Sequence, residues 1–133
     1  NRFPNLNYKL PNELESLNDF KKNDLIFLTN DQIEKIPNDF YSLAANTMSF
    51  GEMNSIIIKN YFFLLRRALL IDNLFYCVNR VEKKMKTNEV YELIRFFEYP
   101  WQSNDIDYEY RLTNIEEGRT YNPMYLKLTK LSK

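Results

Sequence analysis

Apolar residues recur at helical spacing through one long proline-free stretch of the chain. From Phe50 to about Lys86, Met53, Ile57, Tyr61, Leu64, Ala68, Ile71, Phe75 and Val78 follow one another by steps of mostly three and four. Such steps line one face of an α-helix. Glu52, Lys59, Arg66, Asn73 and Arg80 fall on the opposite side, seven residues apart. On a straight helix they drift only about 20° per heptad. Ser49-Phe50-Gly51-Glu52 has the spacing of a capping box that would open the element. Phe62, Phe63, Leu65, Leu69, Leu70 and Leu74 make most of the circumference apolar. A helix of that kind is central in a core or covered by a partner. At 1.5 Å per residue it would run about 50 Å, more than the rest of so short a chain covers. The pattern therefore predicts one central helix over about 50–86 and a partner chain or homo-oligomer around it.

Shorter helices are expected on either side. Pro11-Asn12-Glu13-Leu14 can open one, with Leu14, Leu17 and Phe20 inward. Thr29 and Gln32 have capping-box spacing ahead of Ile33 and Ile36, and Pro37 ends that turn. Asn38 can cap a helix carrying Phe40, Leu43, Ala44 and Met48. Thr87 or Asn88 can cap another with Val90, Ile94 and Phe97 inward, stopped by Pro100. Beyond it the period changes to two. Ile106, Tyr108, Tyr110 and Leu112 alternate with Asp105, Asp107, Glu109 and Arg111, the signature of a half-buried strand. A loop at Glu116-Glu117-Gly118, where Gly118 can take a positive φ, would lead to a return strand over Tyr125 to Leu131. The expected fold is mainly α: a helical bundle around the long helix with a small C-terminal β-hairpin. It forms a single domain over 1–133, with an extended arm over 1–10, a helical body over 11–100 and a hairpin or tail over 101–133.

Composition removes several chemistries. The 133 residues contain no His, one Cys and two Gly. Without His the commonest general base and transition-metal ligand is missing. One Cys makes neither a disulfide nor a zinc cluster, and two glycines write no phosphate-cradling loop. The chain is expected to be non-enzymatic, with no cofactor, no metal and no catalytic residues. Charge is balanced at 18 basic and 18 acidic residues, so nucleic acid or an anionic surface would need a local patch. Lys59, Arg66, Arg67 and Asp72 interrupt the apolar run Ile56 to Val78, each costing about 2.5 to 3.5 kcal/mol at a bilayer centre, which rejects a membrane span. Cys77, among Phe75, Tyr76 and Val78, is expected to be a buried, inert thiol. The opening Asn1-Arg2-Phe3-Pro4, without an initiator Met, suggests a fragment or processed product; no leader is visible, and the chain is expected to be intracellular.

Three groups of residues are candidates for a working surface. Tyr61 and Phe62 on the long helix, with Trp101, Tyr108 and Tyr110 in the aromatic C-terminal region, would bind a protein partner. Lys59, Arg66, Arg67, Arg80, Lys83 and Lys84 would form a basic stripe able to track nucleic-acid phosphates, the alternative function. Asp105, Asp107 and Glu109 would share one strand face, where two could hold a divalent ion, although a solvated face is the commoner meaning.

Two short resemblances arise. Pro37-Asn38-Asp39-Phe40-Tyr41 followed by Met48-Ser49-Phe50-Gly51 is similar to the segment preceding the catalytic helix of abortive-infection RNase-like proteins. That chemistry needs an Arg and a His on the following helix, so without His the resemblance implies an inactive relative. Ile36-Pro37-Asn38-Asp39-Phe40-Tyr41 with the Arg-containing helix after it resembles the helical domain of archaeal GINS replication subunits, and implies a helical domain followed by a small β domain.

Overall fold

The computed structural model describes residues 5–87, 90–117 and 120–133. Its elements are β1 (Tyr8–Lys9), a 3-10 turn at Pro11–Glu13, α1 (Asp19–Lys22), β2 (Leu25–Ile26), and a 3-10 stretch over Asn30–Lys35. Then come β3 (Tyr41–Thr47), a turn at Phe50–Glu52, α2 (Ser55–Ala68) and β4 (Leu69–Arg80). The chain finishes with β5 (Glu82–Thr87), β6 (Val90–Arg95), a turn at Phe96–Glu98, β7 (Ile106–Glu117) and β8 (Thr120–Lys130). The main sheet has the order β3-β4-β8-β7, parallel between β3 and β4 and antiparallel elsewhere. The hairpin β5–β6 and the short parallel pair β1–β2 are separate.

This mostly β architecture overturns the expected helical bundle: no helix spans 50–86. Only the middle of that stretch is helical. Ser49 to Glu52 closes a single 3-10 turn, and the helix begins at Asn54, whose side chain accepts the Ile57 N–H at 2.9 Å. At Leu69 the backbone swings to φ −79°, ψ 148°, and α2 runs directly into β4 with no Gly or Pro between them. From there the inward positions are Asn73, Phe75, Cys77 and Asn79, a period of two. The intervals Ile71, Phe75, Val78 mimic a helix by coincidence.

Two other expected helices are strands. Tyr41–Thr47 is extended because it forms the parallel partner of β4, from Leu43↔Leu74 to Thr47↔Val78. Residues with positive φ flank it, Asp39 at 48° and Met48 at 62°, so the chain turns sharply at both ends. Val90–Arg95 is likewise a strand, antiparallel to β5. Phe97, expected inward, is exposed, and its neighbour Phe96 is fully buried. The C-terminal strands exist, but they form half of the main sheet instead of a small appendage to a helical body. The expected cap at Asn88, the turn at Gly118 and the first residues of the arm lie outside the described residues.

The core lies between α2 and the inner face of the sheet. Phe50, Ile58, Phe62, Leu69, Phe75, Cys77, Ile94, Phe96, Tyr99 and Leu131 form one buried cluster. Phe62 meets Phe75 edge-on at 5.8 Å and Trp101 at 4.9 Å, favourable geometry for aromatic pairs. Two buried asparagines hold the backbone around this cluster. Asn73 accepts the Leu131 N–H at 2.9 Å and donates to its carbonyl at 3.0 Å. Asn79 donates to Asn46 at 2.8 Å and accepts the Gly51 N–H at 3.3 Å. Among the described residues no buried side-chain polar atom lacks a hydrogen-bond partner. None of their helices is long and apolar enough to cross a membrane.

Candidate interaction surface

The expected basic stripe depended on a helix continuing past Ala68, and the six cations lie on three elements. Lys59, Arg66 and Arg67 are on α2, Arg80 is on β4, and Lys83 and Lys84 are on β5. Most of them have internal work. Arg66 forms a two-pronged pair with Asp105 at 2.7 and 2.9 Å and also donates to the carbonyls of Ser132 and Pro100. Arg67 donates to the carbonyl of Ile36 and to Asn38. Lys83 and Arg80 both meet Glu52, and the Lys84 ammonium sits 4.3 Å over the Tyr91 ring. Lys59 lines a groove of about 310 Å³ between α2 and β6, with Glu92 and Glu98 on its walls.

The three carboxylates are not brought together. Asp105 precedes β7, and a bulge between Asp107 and Glu109 turns those two to opposite faces. Asp107 pairs with Lys127 at 3.0 Å and Glu109 with Arg111 at 2.7 Å. The Asp105 side chain is only 1% exposed. Burial alone would raise its pKa. The Arg66 guanidinium, the N–H groups of Gln102 and Ser132 and the Ser132 hydroxyl outweigh that and hold it at about 2. Burial pushes the Cys77 thiol up to about 12, far from a reactive thiolate. Among the described residues no group of three or more acidic or sulfur side chains is placed to hold a metal ion.

The five aromatic candidates divide between the two faces of the sheet. Phe62 is 1% exposed, in the centre of the core. Tyr61 is half-buried beside it, its hydroxyl donating to Asn30 at 3.0 Å. Trp101 fills the gap between α2 and the sheet, donates its indole N–H to the Phe96 carbonyl, and carries the Lys127 ammonium 4.2 Å above its ring. Tyr110 stacks on Tyr125 on the same inner side, at 5.1 Å. Tyr108 alone is carried by the bulge to the outer face, where it is 59% exposed.

Around Tyr108 the outer face is apolar and uncovered. Leu43 of β3 stands directly beside Leu74 of β4, and both are exposed. Leu74, Tyr108 and Leu128 floor an open trough of about 530 Å³, bordered by the Asp72–Lys130 ion pair at 2.8 Å. Ile106 extends the patch along β7. At the other end of the same face Val78, Met124 and Leu126 are buried in a small cluster with Met48 and Tyr76. Leu43, Leu74, Ile106 and Leu128 were missed as surface residues. The alternating signal at 105–112 was correctly a strand, but a bulge leaves no mark in a pattern of apolar and polar letters.

The two edges of the main sheet differ as well. β7 is bulged and carries Asp107, Glu109 and Arg111. β3, Tyr-Ser-Leu-Ala-Ala-Asn-Thr, has no charge and no proline, and β4 is its only strand neighbour among the described residues. Neither a protein-family model nor a curated protein sequence matches this chain.

Proposed function

We propose that the chain is a non-enzymatic protein-interaction module that docks a partner on the outer face of its main sheet, around Tyr108. The observation that carries this reading is the exposed apolar set Leu43, Leu74, Tyr108 and Ile106 around a trough floored in part by the half-buried Leu128. Natural monomers rarely leave such a patch open unless something covers it. The non-enzymatic half of the reading is supported by the separation of Asp105, Asp107 and Glu109 and by the buried Cys77 thiol.

The test places a photoreactive benzophenone side chain at Tyr108, and at Ile56 on the far side as a control. Both variants are irradiated in extract of the source organism. A discrete adduct from position 108 that position 56 does not give is the expected result. No adduct at 108, or the same products from both positions, overturns the proposal.

A further inference from the structure

We infer that the free edge of β3 pairs with β3 of a second copy of this chain. The two strands run antiparallel about a twofold axis and join two four-stranded sheets into one of eight. The inference concerns the strand edge and holds or fails independently of what docks on the outer face.

An edge strand presents unpaired N–H and C=O groups to solvent, and proteins ordinarily blunt it with charge, proline, a bulge or a covering element. The β7 edge carries two of these devices and β3 has neither charge nor proline over Tyr41–Thr47. The regular part of β3 is Leu43–Thr47, where its register on β4 runs without interruption; the irregularity lies before Leu43. Pairing centred on this stretch sets Ala45 opposite Ala45, Leu43 opposite Thr47, and Ala44 opposite Asn46. No charge meets a like charge, and the small alanines at the axis allow close approach. A twofold perpendicular to the sheet keeps both outer faces on one side.

The register and the charge favour a second copy as the occupant: the uncharged stretch Leu43–Thr47 is self-complementary about Ala45. The net charge is zero, so two copies do not repel each other.

The experiment is light-scattering chromatography of the whole chain over a concentration series, with three variants. The wild type is expected at twice 16.2 kDa. Ala45→Lys sets two ammonium groups face to face at the axis and should halve the mass while the chain keeps its folded circular-dichroism spectrum, with a thermal midpoint that no longer depends on concentration. Ala45→Cys should give a disulfide-linked dimer on mild oxidation, because Cys77 is buried. Tyr108→Asp should leave the mass unchanged. A wild type that stays at 16.2 kDa at every concentration overturns the inference. So does a dimer that survives Ala45→Lys, or one that Tyr108→Asp dissociates, since then the outer faces hold the copies together. If Ala45→Lys fails to fold, the absence of a linked Ala45→Cys dimer has the same force.

Discussion

The two faces of the main sheet are built on opposite principles. On the inner face every strong group has been answered. Phe62 and Phe75 interlock with Trp101, Asn73 and Asn79 satisfy neighbouring backbone, and Arg66 closes on Asp105 and Ser132. On the outer face Leu43, Leu74, Ile106 and Tyr108 have no such answer within the chain and remain exposed. The difference assigns roles: the inner face, with the small buried cluster of Val78, Met124 and Leu126 at the other end of the outer face, holds the fold together, and the outer face around Tyr108 can be changed without unfolding it.

The largest effect is expected at Arg66. Its guanidinium and the Asp105 carboxylate are 12% and 1% exposed as side chains, so removing one leaves the other charged and desolvated. Breaking a buried pair in this way costs about 3–5 kcal/mol. Arg66→Ala should therefore lower stability by that amount in urea unfolding. The double variant with Asp105→Ala should recover part of the loss, because the orphaned carboxylate is gone. If the two single losses simply add, the two residues do not act as a pair.

The same pair sets a pH limit. Asp105 is held at about 2 in the fold against an ordinary value of 3.8. A depressed carboxyl pKa means that the unfolded chain binds the proton more readily than the folded one. The stabilisation is complete above pH 3.8 and is lost as pH falls from 3.8 towards 2. Thermal midpoints should fall through that window, and Asp105→Asn should flatten the fall. A midpoint equally steep in the variant would place the acid sensitivity on other carboxylates.

How much of this division the letters alone revealed depended on which residue pattern was local. Helix α2, the inert Cys77 and the alternating strand from Ile106 were legible, because each follows from neighbouring residues. The end of α2 was not. Ala68 and Leu69 carry no breaker, and the next ten residues are apolar at intervals that satisfy both a helix and a strand. Only pairing with β3 and β8, brought from far along the chain, decides for the strand. The alanines of β3 favour a helix by intrinsic propensity, and the sheet overrides them. Arg66 read as one cation of a phosphate-tracking stripe for the same reason: its partner Asp105 lies 39 residues away.

The smallest effect should fall on the outer face, where the comparison is tested from its other side. Leu74 is exposed, flanked by Leu43 and lining the trough with Tyr108 and Leu128. It lies on β4, the same strand as the fully buried Phe75, one residue away on the other face. Leu74→Thr keeps a strand-forming residue and removes apolar surface that water already touches. Surface changes of this kind stay within about 0.5 kcal/mol. A urea midpoint unchanged within error would confirm that the end of the outer face around Tyr108 contributes little to folding. A loss as large as that of Arg66→Ala would mean that Leu74 is covered within the folded chain, and the two faces would no longer differ in what they contribute to stability.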